Sequence, residues 1–589
     1  MKNEVSSGTL NGPAPQGDLA GLRENVKFDF VAGLLVSLIA LPLCLGIAGA
    51  SGFPAINGVF TAIAGGMICG FLSNSELTIK GPAAGLIAIV LGASIEFAAL
   101  AQVEPNVSDS HVYLQYLPSV AAVAMVAGIL QIILGMLKSG ALADMFPSSV
   151  IHGLLASIGI IIIGKQLYPL LGLKPNSSTE AYDAFLELPE HLPHAAWQAA
   201  LIGLVSLAIL FVYPLCKKRF KICSLLPAQL IILIIAIPAA MFLFRDFSGN
   251  SRTYEVLVDG TPVQQVVKSL LVKVPESASK LPSAFIFPDF QYANTVVFWK
   301  WVFMFALVGS LESLLSAKAV DVLDPWKRKS NLNRDMLAIG VANTAVACVG
   351  GLPMISEIVR SSANKDFGAR TRWANCFHGA FLLCSIIALP SVLNMIPLTA
   401  LAAMLVYAGS RLAHYREFLH MWHVGKEQLF IFVSTIVGVL MTDLLVGVGI
   451  GILTKLVVQL CFGVHPFHFF KIPALIDDST DKIFVRLEAS AVFSNWLFLK
   501  KKIMQLPTDR QIVIDCHDAP FVDHTVMSKL AELKSEFAAA GRSLEIEGLD
   551  DHRMLSHDAL CARKARKANQ GVDGSSQSGS HVPLETIPH

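Results

Sequence analysis

Val349-Gly350-Gly351-Leu352-Pro353-Met354-Ile355-Ser356-Glu357-Ile358-Val359-Arg360 has an earlier counterpart, Leu77-Thr78-Ile79-Lys80-Gly81-Pro82-Ala83-Ala84-Gly85-Leu86, and the two together decide the fold. Each combines an extended run, Gly and Pro, and the start of a short helix. Around them, apolar runs long enough to span or half-span a bilayer recur from Phe30 to about Phe462. Fourteen are counted when these two short ones are admitted, starting near Phe30, Ala55, Pro82, Pro118, Ser149, Ala196, Pro227, Thr295, Asn333, Pro353, Arg372, Ile396, Glu427 and Leu444. The short segments are the third and the tenth. A spacing of seven predicts two inverted repeats of seven segments, each with a broken helix at the equivalent place. The alternative is a pair of ordinary kinked helices, since Pro and Gly are common in membrane helices.

Between them lies a carboxylate in bilayer-grade sequence, Glu312 within Phe303-Met304-Phe305-Ala306-Leu307-Val308-Gly309-Ser310-Leu311-Glu312-Ser313-Leu314-Leu315-Ser316. An acidic side chain at the centre of a spanning helix costs about 2.5–3.5 kcal/mol on insertion scales, so such groups face cavities and handle ions. A half-helix that begins at mid-membrane aims unpaired backbone N–H groups and a partial positive charge into the protein. Two of them facing each other suit an anion, at up to about 2 kcal/mol per terminus, which is weak enough to permit release.

Composition agrees with a polytopic membrane protein. The 589 residues are 54% hydrophobic and 15% charged, with a mean hydropathy of +0.59. A net charge of +1 suggests neither nucleic acid nor a polybasic lipid anchor as a partner. The ten cysteines form no CxxC pair, and Cys44, Cys69, Cys348, Cys376 and Cys384 lie in apolar segments, as small hydrophobes rather than a disulfide or zinc framework. No GxxxxGK loop is present, so ATP-driven pumping is not expected, and no enzyme or cofactor motif is read.

Residues 1–27 are polar and carry no signal-peptide core, so they are expected to form a cytoplasmic tail. Basic residues gather after segments six (Lys217, Lys218, Arg219, Lys221), eight (Lys327, Arg328, Lys329, Arg334) and ten (Lys365, Arg370, Arg372). Alternation puts those loops on one side, cytoplasmic by the positive-inside rule, with both termini there. The stretch 98–117, without Lys or Arg, and the insertion 245–292 fall outside. The transporter domain is expected over 28–465, a small soluble α/β domain over 480–565 and a disordered Gly/Ser-rich tail over 566–589. In the soluble part, Ile512-Val513-Ile514-Asp515-Cys516, a helical pattern over 525–540 and Ser543-Leu544-Glu545-Ile546-Glu547-Gly548 predict a βαβ unit.

From about Lys27 to Lys564 the chain resembles the SulP (solute carrier 26) anion transporters with a carboxy-terminal STAS domain. The residues that carry the resemblance are Asp29-Phe30-Val31-Ala32-Gly33-Leu34 leading to Leu41-Pro42, Gly81-Pro82-Ala83-Ala84, Gly309 to Ser316, Gly350-Gly351-Leu352-Pro353 and Gly368-Ala369-Arg370-Thr371-Arg372. It implies a core domain carrying segments three, eight and ten, a gate domain, elevator-like movement and a homodimer. Glu312 matches the family's acidic position for a coupling cation, Na+ or H+, with Ser316 one turn later on the same face; the alternative is a buried stabilising ion pair. Arg360 matches a basic position that offsets anion charge, unless it snorkels toward the cytoplasmic loop. Lys80, Ala83, Ala84, Ser356, Glu357, Ile358 and Leu43 complete the expected substrate site.

The chain departs from the family at several of these positions. Glu357 stands where small or hydroxyl residues are usual, and a second carboxylate beside an anion repels it unless neutralised. Lys80 is the candidate to neutralise it, by pairing with Glu357 or by contacting the anion. Leu43 replaces a frequent Gln, and Ala83 lacks a hydroxyl found in some bicarbonate-transporting members. In the STAS-like segment Asp515 to Thr525, Thr525 is a candidate phosphorylation site, because phosphate is favoured at a helix N-terminus; the other reading of the segment is docking and dimer support. The function expected is secondary active transport of bicarbonate or sulfate. An exchanger or channel is the alternative, and a STAS-based sensor that binds an anion without moving it is the reading from another class. A nucleobase carrier shares the seven-plus-seven plan but has no support in these motifs.

Overall fold

The structure, a computed structural model, describes residues 14–101, 115–140, 146–173, 181–219, 227–244, 253–258, 261–266, 270–442, 444–470, 474–478, 482–507, 510–539 and 541–566. The outer stretch without basic residues falls largely outside them, as do Lys221 and the Gly/Ser-rich tail from 567 onward.

The first repeat contains α1 (Leu19–Ala50), α2 (Ala55–Leu72), β1 (Ile79–Pro82), α3 (Ile87–Leu100), α4 (Leu117–Met136), α5 (Ser148–Leu170), the short α6 (Ala181–His191), α7 (Trp197–Arg219) and α8 (Ala228–Leu243). A hairpin follows, β2 (Thr253–Val258) and β3 (Thr261–Val266). The second repeat contains α9 (Val296–Leu323), α10 (Leu332–Ala347), β4 (Met354–Glu357), α11 (Ile358–Asp366), α12 (Trp373–Ala388), α13 (Pro390–Leu393), α14 (Leu398–Leu412), α15 (Tyr415–Val424), α16 (Lys426–Met441) and α17 (Leu444–Cys461). Every one of the fourteen expected segments has its helix or broken helix. Among the described residues, seven helices are long and apolar enough to cross a membrane, and shorter apolar helices include Ala84–Leu100, Ala228–Leu243 and Trp373–Ala388.

Local chemistry sets the ends of these elements. Thr295 Oγ1 accepts from the Phe298 N–H at the start of α9, and Asn331 Oδ1 accepts from the Asn333 and Arg334 N–H groups at the start of α10. α10 stops because Gly350 takes φ +79°, a left-handed geometry that glycine adopts without a Cβ clash. Proline at 82 and at 353 biases the preceding residue toward extended backbone. The result is a two-stranded antiparallel crossing with Ile79 opposite Glu357, Lys80 opposite Ser356, Gly81 opposite Ile355 and Pro82 opposite Met354. Beyond the strand pairing, the Ala83 N–H donates to Pro353 O at 3.3 Å. Non-helical backbone at membrane depth is tolerated only inside protein, and these strands are buried apart from the partly covered Glu357.

The chain forms two compact units. One comprises residues 1–143 and 157–413, and the other 144–156 and 414–589. The first holds the β1–β4 crossing. The second joins α15, α16, α17 and the first turns of α5 with the α/β region. That region contains β5 (Ala474–Asp477), β6 (Lys482–Leu487), α18 (Trp496–Met504), β7 (Gln511–Asp515), β8 (Phe521–Val522), α19 (His524–Ala539), β9 (Leu544–Glu547), β10 (His552–Met554) and β11 (Arg563–Ala565). Its main sheet has the order β5-β6-β7-β9, antiparallel at β5/β6 and parallel at β6/β7 and β7/β9. The βαβ unit read from the sequence is β7-α19-β9, and its core is apolar, with Ile512, Ile514, Val526, Leu530 and Leu544 packed together.

Candidate functional site

The β1–β4 register decides which charges meet. Side chains alternate across a strand and directly opposed residues share a face, so Lys80 and Ser356 point one way while Glu357 and Gly81 point the other. The expected pairing of Lys80 with Glu357 is therefore replaced by two separate clusters.

On the first face, the Lys80 ammonium lies 2.8 Å from Asp335 Oδ1 of α10, each side chain only 1% exposed. Lys80 Nζ also donates to Thr78 Oγ1 at 2.6 Å and to Ser356 Oγ at 2.8 Å, which uses its three protons. Asp335 accepts further from Ser73 Oγ and Ser356 Oγ. Ser313 of α9 closes the network: its Oγ donates to Ser356 Oγ at 3.1 Å and accepts from the Ser356 N–H at 3.0 Å. Asp335 was not singled out from sequence. It stands in the first turn of a helix, where an acidic residue is unremarkable.

On the second face, Arg360 is fully buried, so it does not snorkel. Its Nε lies 3.0 Å from Glu357 Oε2, and its Nη1 donates to Cys44 Sγ of α1 at 3.4 Å. A methyl group on Gly81 would strike Arg360 Nη1 and crowd Glu357 Oε1. One on Gly85, at the start of the first half-helix, would strike the Glu312 carboxylate. Glycine at both places lets the charged groups reach the half-helix backbone. Here hydrogen-bonding capacity is left over: Glu312 Oε2, Glu357 Oε1 and Arg360 Nη2 are sealed from solvent and lack a partner among the described residues. Both ring nitrogens of His378 on α12 are in the same condition. Buried polar atoms without partners are costly, so such a concentration marks a place for an ion or ordered water.

Of the other expected site residues, Ala83 and Ala84 lie where β1 gives way to helix, and Ser316 is buried one turn beyond Glu312. Ile358 opens α11 and is 42% exposed. Leu43 packs against an apolar cluster that includes Ala228, Ile232, Ala400 and Met404. Its neighbour Cys44, read from sequence only as a small hydrophobe, is the α1 residue that touches Arg360.

In the second compact unit Thr525 is fully buried, and its Oγ1 accepts from the Ser148 N–H at 3.4 Å. A phosphate there would require that contact to open. Beside it lies an ion pair not anticipated from sequence. Lys455 of α17 sits 2.6 Å from Asp523 Oδ1, both 1% exposed, with Gln428 Oε1 accepting from Lys455 Nζ and Gln459 Nε2 donating to Asp523 Oδ2. On the exposed side of the region, Asp515 accepts from the His517 N–H and lies 2.6 Å from its Nδ1. That hydrogen bond raises the His517 imidazole above its ordinary value. Partial burial opposes ionisation of Asp515, but the bonds from His517 and Arg486 outweigh it and hold the carboxyl low.

A family model described as the Sulfate permease family matches residues 26–435, and the chain belongs to that family. It is a multi-pass membrane protein with a carboxy-terminal α/β region. The Bicarbonate transporter BicA of Picosynechococcus is 24% identical over 428 residues, covering 73% of this chain and 69% of that protein. The Sodium-independent sulfate anion transporter of Bos taurus is 26% identical over 549 residues, 89% of this chain and 84% of that protein. The solved structure of SLC26A9 superposes with a TM-score of 0.64 at 17% identity, over 90% of this chain and 85% of that one, a likeness of fold.

Proposed function

We propose that the protein is a secondary active transporter of small inorganic anions of the bicarbonate or sulfate class, coupled to Na+ or H+. The observation that carries this reading is the second face of the crossing. There the buried guanidinium of Arg360, in the first turn of the second half-helix, lies by Gly81 of β1, and Glu312, with one carboxylate oxygen unpartnered among the described residues, lies against Gly85 at the start of the first half-helix. Helix termini and Arg360 offer an anion partial and full positive charge, while Glu312 offers the coupling cation a site on the same element cluster. The relatives' names support the anion class and divide over the substrate, and one of them describes its protein as sodium-independent.

Elevator-like movement of a core containing segments three, eight and ten past a gate would carry the site across the membrane. A homodimer in the cell membrane with both termini cytoplasmic completes the proposal. Uptake of labelled bicarbonate and sulfate into liposomes, with and without inward Na+ and H+ gradients, tests it. Gradient-dependent uptake that Glu312→Gln abolishes supports the symporter. A requirement for internal counter-anion indicates an exchanger, cation-independent uniport a channel, and binding without flux a sensor.

A further inference from the structure

The second face contains more negative than positive charge. Glu312 and Glu357 contribute two carboxylates against the single guanidinium of Arg360, and Lys80 gives no help because Asp335 already neutralises it. With all groups ionised, the place prepared for an anion is net negative. Moreover Glu357 Oε2 lies 3.0 Å from Arg360 Nε, an ion pair without hydrogen-bond alignment, so an incoming anion must compete with the charge of a carboxylate tethered three residues away on the same chain. A tethered competitor has a high effective concentration.

We propose that Glu357 is an internal surrogate anion, and that an inorganic anion gains Arg360 only when Glu357 takes up a proton. The inference rests on the transporter reading above. In the step, one proton from the solvent on the open side adds to the Glu357 carboxylate and gives the neutral acid. The Glu357–Arg360 ion pair gives way to an anion–Arg360 pair, and the same proton leaves when the anion is released. The groups that face Glu357 and Arg360 support this assignment. Cys44 comes from α1, Gly81 from β1, Glu312 from α9 and His378 from α12, while Lys80 of β1 and Asp335 of α10 turn the other way. Lys80 and Asp335 are locked to one another on the opposite face, and the Glu312 carboxylate lies close enough to Glu357 for the two negative charges to repel. The unpartnered Glu357 Oε1 and Arg360 Nη2 are the atoms left to receive the proton and the anion.

The test is equilibrium binding of sulfate, chloride and bicarbonate to the purified full-length chain between about pH 5.5 and about pH 8.5, with bicarbonate scaled to the ion present. Wild-type affinity should fall with rising pH by up to about tenfold per unit, the limit for one linked proton. Glu357→Gln should bind the same anions with that dependence removed and with affinity at high pH restored. Glu312→Gln should keep the dependence. If Glu357→Gln does not fold, Glu357→Asp, whose shorter reach to Arg360 weakens the internal pair, should move the fall in affinity to higher pH. An unchanged profile in Glu357→Gln or Glu357→Asp, a flat wild-type profile, or a dependence lost in Glu312→Gln instead, overturns the proposal and leaves the transporter reading standing. Absence of binding of every anion to every variant overturns both.

Discussion

The two faces of the β1–β4 crossing are built from the same short stretches and differ in how fully their hydrogen-bonding capacity is used. On the Lys80 face, the ammonium has three acceptors and the Asp335 carboxylate accepts from lysine and two serines. On the Arg360 face, Glu312, Glu357, Arg360 and His378 all retain buried polar atoms without partners among the described residues. A saturated buried pair fixes a geometry. An unsaturated cluster keeps capacity for something that arrives and leaves. The crossing thus sets a rigid clamp directly against the proposed binding site, with the two strands as the wall between them.

Breaking the clamp should have the largest effect. Asp335→Leu leaves the Lys80 ammonium buried without a counter-charge, and removal of one partner from such a pair costs about 3–5 kcal/mol. Thermal unfolding in detergent should show the loss, and Lys80→Met combined with Asp335→Leu should recover much of it. If the single variant is as stable as wild type, the clamp interpretation fails. Lys455→Met applies the same logic to the second unit, where Asp523 would lose its cation. A comparable loss of about 3–5 kcal/mol is expected there, read by hydrogen exchange across residues 482–566.

Glu312→Gln sharpens the contrast from the other face. Replacing an unpartnered buried carboxylate with a near-isosteric amide should change stability by no more than about 1 kcal/mol, while gradient-driven uptake disappears. A large stability loss would mean that Glu312 belongs to the scaffold.

The smallest effect is expected at the exposed His517–Asp515 pair, where solvent screening holds the contribution below about 1 kcal/mol. The raised His517 value means that its share is complete below the unfolded histidine value of about 6.5 and is lost as pH rises through the higher folded value. The lowered Asp515 value makes its share complete above the unfolded aspartate value of about 3.9 and lost as pH falls through the folded one. Wild type minus His517→Ala should therefore peak in unfolding midpoint between those limits. A difference that grows steadily toward alkaline pH would contradict the assignment.

Much of this architecture was legible in the chain because bilayer physics writes it there. Runs of apolar residues, the two Gly/Pro interruptions seven segments apart and the placing of Glu312 within an apolar run follow from the cost of exposing polar groups to lipid. The βαβ unit was legible because β7, α19 and β9 have their own local periodicities. Partner choice was not legible. Lys80 and Glu357 looked matched because both flank half-helix starts, yet a one-residue step in strand register sends their side chains to opposite faces. Asp335 and Asp523 lie 255 and 68 residues from the lysines that hold them, Lys80 and Lys455, by subtraction of their positions. The sequence by itself determined that this is a membrane protein with two broken helices and a charge in its interior, since those features depend on composition and spacing along the chain. Only the tertiary structure decided which charges neutralise one another and which remain available, because that depends on contacts between distant segments brought together at one crossing.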